Sequence, residues 1–441
     1  MGAADTIFAL ATAPGRAAIA VMRISGPRAK AAVEALAGAV PAPRVATLKA
    51  LSEPGSGGSL DRALVLWFPG PASYSGEDMA ELHLHGGVAV VAGVARALAG
   101  VAGCRPAEPG EFSRRAFANG RLDLTAVEGL ADLVAAETEG QRRQALRQMD
   151  GALGRLYDGW RARLIRALAH AEAAIEFPED GLPDGLDDGV RAEIGAVAAA
   201  IGGHLDDGGR GERLRDGIRV AIIGAPNVGK SSLLNRLGRS DLAIVSPRPG
   251  TTRDVVAARL DLGGVPVTVA DTAGLRESAD AVEAEGVRRA RCWAESADLR
   301  IAVFAAPEWP GMERATETAM NGAAVVAVNK IDLTGGRVPA GGPAAVGISC
   351  RDGRGLAGLE AELGSWVRRL AAPGSAPALT RARHRAALGE CCEALIRAGT
   401  ASGELAAEDL RLAVRALGRI TGRVDVETVL DTVFGELCVG K

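Results

Sequence analysis

Residues 224–231 read Gly-Ala-Pro-Asn-Val-Gly-Lys-Ser and lie between a β-like run, Arg219–Ile223, and a helical pattern, Ser232–Leu237. The stretch matches the phosphate-loop pattern G-x-x-x-x-G-K-S/T at every fixed position. Backbone N–H groups of such a turn, with the positive end of the following helix, bind phosphate oxygens. We therefore expect Lys230 to reach the β- and γ-phosphates of a nucleotide and the Ser231 hydroxyl to bind Mg²⁺. The alternative, a glycine turn with an incidental Lys-Ser pair, is disfavoured by the flanking strand and helix patterns.

Three further motifs indicate which nucleotide is bound. Asp271-Thr272-Ala273-Gly274 follows an apolar run, which places a carboxylate at a strand end facing the phosphates. In Asn329-Lys330-Ile331-Asp332, the last carboxylate can accept hydrogen bonds from the N1–H and 2-amino groups of guanine, a donor pair that adenine lacks. Ser349-Cys350-Arg351 stands where GTPases place a backbone donor to the guanine O6. The ordered set predicts a GTPase domain.

The catalytic arrangement is less clear from the residues alone. Gly250–Asp254 offers a mobile threonine that can close on Mg²⁺ and the γ-phosphate. Leu275 stands where small signalling GTPases carry a glutamine that orients water, so another group must do this. The candidates for orienting water are Glu277, Glu283 and Glu285, and those for compensating charge are Arg253, Arg276 or a monovalent cation bound by the side chain of Asn227.

Composition excludes several classes of protein. The 441 residues carry a net charge of −3, so nucleic-acid binding would need local basic patches rather than a global field. The six cysteines show no C-x-x-C spacing, which fits a reducing cytosol. There is no signal peptide and no run of 18 apolar residues. We therefore expect a cytoplasmic protein with no stable membrane association.

The first 118 residues read as a small α/β domain. Alternation across Ala80–His85 predicts a strand with Glu81, His83 and His85 on one face. Such a face could bind a metal ion, but with no further His or Cys nearby a polar strand face near a ligand is the preferred interpretation.

Residues 108–124 are dense in turn formers and charge. They fit a domain boundary followed by a capping box from Thr125 to Glu128. Equally, Arg114, Arg115 and Arg121 could contact an anionic ligand or RNA, and the pattern does not choose between the two.

Helical patterning fills residues 126–215 and resumes after residue 377. The simplest arrangement is a GTPase domain inserted into a helical domain. We therefore expect a multidomain fold of α/β and α parts: an N-terminal α/β domain at 1–118, a helical domain at 119–215 and 373–441, and a Ras-like GTPase domain with a mostly parallel sheet at 216–372.

The whole chain resembles the MnmE (TrmE) family of tRNA-modifying GTPases. The resemblance rests on Asp5–Ile7, Val21–Gly26, Tyr74–Gly87, Glu108–Leu124, the GTPase motifs and the terminal Cys438-Val439-Gly440-Lys441. It implies that the N-terminal domain binds folate and dimerises the protein. A tetrahydrofolate derivative, 5,10-methylene- or 5-formyl-tetrahydrofolate, would be bound by Arg23, Glu81, Arg121 and Lys441, although the position of Arg121 often carries Lys in the family.

The same resemblance implies roles in the GTPase site. K⁺ would be bound by Asn227, Ser246, Arg248 and Thr251, and Mg²⁺ by Ser231 and Thr252, with Ser246 standing where Thr is common. Glu283 matches an acidic residue that helps to orient water, and Cys438 matches a cysteine important to tRNA modification; with Asn227 and Lys230 these are the expected catalytic residues. Motifs and resemblance together predict these GTP-binding residues: Asn227, Val228, Gly229, Lys230, Ser231, Ser232, Ser246, Thr251, Thr252, Asp271, Thr272, Ala273, Gly274, Asn329, Lys330, Asp332, Ser349, Cys350 and Arg351.

The activity implied by the resemblance is K⁺-dependent GTP hydrolysis activated by dimerisation. It drives addition of a (carboxymethyl)aminomethyl group, built with a folate one-carbon unit, to C5 of the wobble uridine of certain tRNAs. The resemblance also implies a homodimer that forms a heterotetramer with the FAD-dependent MnmG (GidA) protein. This chain has no dinucleotide fingerprint of its own, so the flavin must come from elsewhere. Candidate tRNA contacts are Arg142-Arg143-Arg147 and Arg381-Arg383-Arg385.

Two other classes share the GTPase motifs. A ribosome-assembly switch would need an RNA-binding appendage, and no G-x-x-G loop of the KH type follows residue 372. A membrane-remodelling GTPase would need an amphipathic basic or apolar membrane segment, which the sequence lacks.

Overall fold

The computed structural model describes residues 5–176, 186–244, 257–271, 296–311, 314–320, 324–371, 377–401 and 403–424, with residues 430, 433–435, 437 and 440 beyond them. The chain forms two compact units. The first unit holds Met1–Ala131, Gln148–Leu186 and Ala401–Lys441, and the second holds Asp132–Arg147 and Asp187–Thr400. The domain limits expected from the sequence remain a prediction.

Two sheets and a set of helices make up the described residues. The strands are β1 (Thr6–Leu10), β2 (Ile19–Ser25), β3 (Thr47–Ser52), β4 (Ser59–Phe68), β5 (Met79–His85), β6 (Cys104–Pro106), β7 (Ile218–Ile223), β8 (Ala257–Asp261), β9 (Pro266–Asp271), β10 (Leu299–Ala305), β11 (Ala324–Asn329) and β12 (Val346–Gly347). The helices are α1 (Ala29–Ala37), α2 (Val88–Ala99), α3 (Glu111–Ala118), α4 (Leu124–Ala135), α5 (Glu139–Met149), α6 (Ala152–Glu176), α7 (Leu186–Leu205), α8 (Arg210–Asp216), α9 (Lys230–Leu237), α10 (Arg314–Ala319), α11 (Leu356–Ala371), α12 (Ala382–Thr400) and α13 (Gly403–Thr421). The α/β and helical fold class expected from the sequence is confirmed.

The sheet of the first unit has the order β3-β4-β5-β2-β1-β6. Neighbouring strands are antiparallel except β1 and β6, which are parallel. The predicted alternation in β5 is confirmed, because Leu82 and Leu84 are buried while His83 and His85 face the other side. Helices α1 and α2 pack Val33 and Leu98 into the core beneath this sheet.

Two strands of this sheet had no signal in the sequence. The strand β6 has three residues and contains Pro106, and β3 lies at the opposite edge with Leu48 and Ala50 exposed. Each pairs with a single neighbour, so pairing rather than an apolar pattern defines it.

The predicted capping box at Thr125 is wrong. Helix α4 begins at Leu124, and the carboxylate of Asp123 accepts hydrogen bonds from the Ala126 N–H at 2.8 Å and from the Thr125 hydroxyl at 2.7 Å. Asp123 therefore caps the helix two residues earlier than expected, since its short carboxylate reaches the third helical N–H directly.

The sheet of the second unit has the order β12-β11-β10-β7-β9-β8. All neighbouring strands are parallel except β8, which pairs antiparallel to β9. Strands β7, β9, β10 and β11 are buried along most of their length, as expected for a parallel sheet covered on both faces. Their carboxyl ends meet at one end of the sheet, where loops collect functional groups.

No helix among the described residues combines the length and the apolar character needed to span a membrane.

A close approach in the first unit gives a test of its packing. Gly110 precedes α3 with φ of 68°, and a Cβ there would overlap the carbonyl oxygen of Phe434. Gly120 has nearly the same φ, 65°, but apart from its own chain neighbours no heavy atom of the described residues lies within 4 Å of the position that a Cβ would take there. We expect Gly120→Ala to cost about 1 kcal/mol of unfolding free energy, from the left-handed backbone alone. The Gly110→Ala variant adds overpacking and should cost about 3 kcal/mol. Urea unfolding measures both, and equal losses would contradict the close approach.

Candidate functional site

The phosphate loop joins the carboxyl end of β7 to α9. Three of its residues have positive φ: Gly224 at 149°, Asn227 at 63° and Gly229 at 101°. A Cβ on Gly224 would overlap the carbonyl oxygen of Val303, and one on Gly229 would overlap the side-chain nitrogen of Asn329. Both fixed glycines of the motif are therefore required by the backbone conformation and by the neighbouring strand ends.

The side chain of Lys230 is folded over this loop. Its ammonium group donates hydrogen bonds to the carbonyl oxygens of Gly224 and Ala225, both at 2.7 Å, and the residue is buried. A buried cation at the N-terminus of α9 gives the loop the electrostatic character of an anion site. Asn227 and Ser232 are exposed on the same stretch, and Val228 is buried beneath it.

Two oxygen groups meet beside the loop. The hydroxyl of Ser231, in the first turn of α9, donates to Oδ2 of Asp271 at 2.5 Å. Asp271 is the last residue of β9 and is buried. A hydroxyl and a carboxylate are hard oxygen ligands of the kind that Mg²⁺ binds next to a nucleotide phosphate, so this pair fits a magnesium ion.

Asn329 connects the phosphate loop to the loop predicted to contact guanine. It ends β11 and is 2% exposed. Its side-chain nitrogen donates to the carbonyl oxygen of Val228 at 2.8 Å, and its side-chain oxygen accepts the Cys350 N–H at 3.1 Å. The carboxamide is therefore satisfied on both sides, which a buried amide requires.

The other residues predicted to recognise the base lie next to Asn329. The Ser349 hydroxyl donates to Oδ1 of Asp332 at 2.7 Å, which orients the carboxylate predicted to bind guanine. Lys330, which follows Asn329 in the chain, adopts a positive φ of 66°. Burial raises the pKa of the Cys350 thiol to about 11, so the thiol stays neutral near pH 7 and adds no charge beside Asp332.

Arg236 is a residue of this site that the motifs did not indicate. Its guanidinium, on α9, donates to the carbonyl oxygens of Cys350 at 2.9 Å and Arg351 at 2.7 Å. It thus fixes the loop predicted to contact the guanine O6. No signal in the sequence pairs residue 236 with residues 350–351, because only folding brings α9 beside that loop.

A second cluster surrounds Arg23 in the first unit. The guanidinium donates from Nε at 3.2 Å and from Nη2 at 3.0 Å to the same oxygen of Glu81. Its Nη1 donates to the carbonyl oxygen of Gly440 at 3.1 Å. The rings of Tyr74 and Phe112 lie 5.4 and 5.8 Å from the guanidinium carbon. The hydrogen bonds of Arg23 therefore connect Glu81 with Gly440, the residue before Lys441.

Two further residues of this unit that the sequence singled out are His83 and Arg121. His83 approaches Glu81 at 3.4 Å. Arg121 is exposed, and its side chain lies beside Gly76. Among the residues that the structure describes, no group of three or more His, Cys, Asp and Glu side chains could hold a metal ion.

Most candidate arginines for an anionic ligand or RNA take part in intramolecular ion pairs. Arg115 contacts Glu77 and Glu111, and Arg114 lies over the ring of Phe434. The pairs in the second unit are Arg142 and Arg143 with Glu139, Arg381 with Asp132, and Arg385 with Asp207 and Glu212. These contacts account for the conformations of the six arginines named here without a bound nucleic acid.

Part of the predicted site lies outside the described residues. These positions are Ser246, Arg248, Thr251, Thr252, Thr272, Ala273, Gly274, Glu283, Cys438 and Lys441. The same holds for the other candidates for orienting water or compensating charge, Arg253, Arg276, Glu277 and Glu285.

Comparison with known proteins gives two family models and close full-length relatives. A model described as the GTP-binding protein TrmE N-terminus matches residues 6–121, and one described as the MnmE helical domain matches residues 124–438. The protein named tRNA modification GTPase MnmE from Parvibaculum lavamentivorans is 56% identical over 443 residues, covering 99% of this chain and 100% of that protein. Its namesake from Rhodospirillum rubrum is 56% identical over 452 residues and covers 99% of each chain.

The comparison with solved structures includes the FeoB G-domain from Methanococcus jannaschii. It is 22% identical, covers 34% of this chain and 98% of that chain, and has a TM-score of 0.26. A similarity this low carries no argument about the site.

The contacts of Arg236 give a test of the guanine side. Arg236→Ala removes both donors to the loop at Cys350 and Arg351, so we expect GDP to bind about three- to tenfold more weakly, as for the loss of one or two hydrogen bonds. The neighbouring exposed Arg239→Ala is the control. Fluorescence titration with a labelled guanine nucleotide measures both, and equal affinities in the two variants would show that Arg236 does not support the loop.

Proposed function

Because the chain belongs to the MnmE family of tRNA modification GTPases, we propose that it uses GTP hydrolysis to drive modification of C5 of the wobble uridine of certain tRNAs. The chain is a GTP hydrolase acting in tRNA modification. The observation that carries the proposal is the arrangement around the phosphate loop. Lys230 and the Ser231–Asp271 pair lie at the phosphate loop, and Asn329 links that loop to Cys350, next to the residues proposed to bind the base. These contacts support a nucleotide site on one side of a single sheet.

Three ions or molecules would be held in the GTPase site. GTP occupies the loop and the base-recognition residues, and Mg²⁺ is bound by Ser231 together with Thr252. K⁺ is bound by Asn227 together with Ser246, Arg248 and Thr251. Asn227 is exposed and has a positive φ, so its side chain is accessible at the surface of the loop. This supports the proposal that it is a ligand of K⁺. K⁺ supplies the positive charge that an arginine provides in other GTPases.

Hydrolysis in this proposal is activated when two copies of the chain meet. Leu275 offers no hydrogen-bonding group for water, so Glu283 helps to orient the water instead. Dimerisation closes the K⁺ sites of the two subunits against each other. A nucleotide held in a closed, dry site experiences stronger electrostatic stabilisation than one open to solvent.

The ion requirement is the first test. We expect GTP hydrolysis in KCl to exceed that in NaCl by at least about tenfold, because an ion that stabilises charge in the transition state contributes about that much or more. Asn227→Ala should remove most of this difference. Release of inorganic phosphate from the full-length protein at equal ionic strength measures the rates. Equal rates in the two salts would exclude the K⁺ mechanism while leaving the GTPase assignment intact.

The Arg23 cluster is proposed as the folate site. Its residues are Arg23, Glu81, Arg121 and Lys441, and the ligand is 5,10-methylene- or 5-formyl-tetrahydrofolate. The carbonyl of Gly440 bound to Arg23 supports this, because Gly440 is the residue before Lys441 in the sequence. A folate carries anionic carboxylates that guanidinium and ammonium groups pair with, and it supplies the one-carbon unit of the reaction.

Arg23→Lys tests this site while keeping the charge. Lysine cannot reproduce the contacts that the guanidinium fork makes with Glu81 and Gly440, so we expect 5-formyl-tetrahydrofolate to bind at least about tenfold more weakly. Arg62→Lys, on the exposed side of β4, is the matched control. Equilibrium dialysis measures binding, and unchanged affinity in Arg23→Lys would place folate elsewhere.

The remaining partners follow from the same proposal. The chain acts as a homodimer that forms a heterotetramer with the FAD-dependent MnmG (GidA) protein in the cytoplasm. That partner supplies the flavin, for which this sequence has no dinucleotide fingerprint. Cys438 takes part in tRNA modification rather than in GTP hydrolysis.

A further inference from the structure

One backbone carbonyl in the second unit accepts two hydrogen bonds from the start of α5. The oxygen of Gly264 receives the Thr138 hydroxyl at 2.6 Å and the Gly140 N–H at 3.1 Å. Gly264 lies in the turn of the hairpin formed by β8 and β9, with φ of 88°. We name this contact of Thr138, Gly140 and Gly264 the hairpin latch.

The hairpin latch requires a glycine at position 140 and a buried hydroxyl at position 138. A Cβ on Gly140 would overlap the Gly264 oxygen and would lie 3.1 Å from a methyl carbon of Leu214, so the helix approaches the hairpin with no room for a side chain. Thr138 is 5% exposed, which keeps its hydroxyl bond to Gly264 away from competing water. The close contact between α5 and the β8–β9 hairpin therefore depends on these particular residues.

Gln141 holds the donor segment in place. Its side-chain oxygen accepts the N–H groups of Glu137 at 2.9 Å and Thr138 at 3.2 Å, and its side-chain nitrogen donates to the carbonyl of Arg215 at 2.7 Å. Thr138 in turn accepts the Gln141 N–H at 3.4 Å, so the two form a reciprocal cap on α5.

An ion pair adds a second connection between the same two elements. The guanidinium of Arg259, in β8, contacts the carboxylate of Glu137 at 2.7 Å. Both side chains line a cavity of about 210 Å³ beside the latch. The hairpin is thus attached to the start of α5 both at its turn and along its outer strand.

Strand β9 connects the hairpin latch to the region of the phosphate loop. Strand β9 runs from the turn to Asp271, whose carboxylate accepts the Ser231 hydroxyl beside the phosphate loop. The base-recognition residues follow β11 and β12, at the opposite edge of the sheet. A shift of the hairpin would therefore displace Asp271, beside the phosphate loop, rather than the residues at the opposite edge of the sheet.

We propose that Thr138 and Gly140 are positioning residues for GTP hydrolysis, which act by holding Gly264 and through it the strand that carries Asp271. Loss of the latch lowers kcat for GTP and leaves KM nearly unchanged. The inference concerns GTP hydrolysis itself and does not depend on K⁺, folate or a partner protein.

Three substitutions of Thr138 separate the latch from the helix cap. Thr138→Ser keeps both the hydroxyl donor and the cap. Thr138→Asp keeps the cap, since aspartate caps helices well, but an ionised carboxylate has no donor for the Gly264 oxygen. Thr138→Val removes both functions. Thr400→Val, which removes a hydroxyl bond to Arg397 at the end of α12, is the control for a general effect on the fold.

Steady-state GTP hydrolysis by the full-length variants is the measurement. We expect kcat to fall about two- to tenfold in Thr138→Asp and Thr138→Val, the range for loss of one hydrogen bond, with KM within about twofold of the parent protein. Thr138→Ser and Thr400→Val should retain the parent kcat. If Thr138→Asp has the parent kcat and only Thr138→Val is impaired, the cap is the sole function of Thr138 and the proposal is overturned. It is overturned equally if KM rises in step with the loss of kcat.

Hydrogen exchange in the same variants follows the hairpin directly. We expect backbone amides of residues 257–271 to exchange faster in Thr138→Asp than in Thr138→Ser, because the turn is no longer held. The midpoint of thermal unfolding, recorded alongside, identifies global destabilisation. Faster exchange spread evenly over the whole second unit would contradict a role confined to the hairpin.

Discussion

The buried carboxamide of Asn329 sets the spacing of the nucleotide site. Its nitrogen is bonded to the phosphate loop at Val228 and its oxygen to the base loop at Cys350. The same nitrogen lies so close to Gly229 that no side chain fits there. Because a buried amide with an unpaired group costs free energy, both bonds are maintained together. The phosphate loop and the loop at Cys350, which is proposed to bind the base, therefore keep a defined separation.

A comparable constraint organises the first unit. Arg23 pairs with Glu81 on the neighbouring strand and with the carbonyl of Gly440, so the end of the chain returns to strands formed by its beginning. Gly110 and Phe434 meet at a second close approach between early and late segments. The unit is complete only when residues as distant in sequence as Arg23 and Gly440, 417 positions apart, have come together. Its proposed ligand site is therefore a property of the folded chain.

The sheet of the second unit separates two tasks. The residues proposed to recognise guanine lie beyond β11 and β12 at one edge, whereas the β8–β9 hairpin lies at the other and ends near the phosphate loop. The central strand β7 lies between them and carries the loop itself. Parallel strands direct their carboxyl ends to one side, so the residues proposed to bind the base and those beside the phosphate loop occupy the same side of the sheet at different distances from its centre.

The sequence by itself determined the elements with strong local signals. The motif at residues 224–231 predicted a glycine turn, and the flanking patterns at Arg219–Ile223 and Ser232–Leu237 predicted a strand before it and a helix after it. The alternation in Ala80–His85 predicted a two-faced strand, and all of these elements are in the structure. Local pattern suffices there because glycine turns and side-chain alternation are properties of consecutive residues. The short edge strands, the cap at Asp123 and the contacts of Arg236 and Gly264 were decided only by the tertiary structure. Each depends on a partner distant in sequence or on competition between neighbouring caps, and periodicity carries no information about which distant groups will meet.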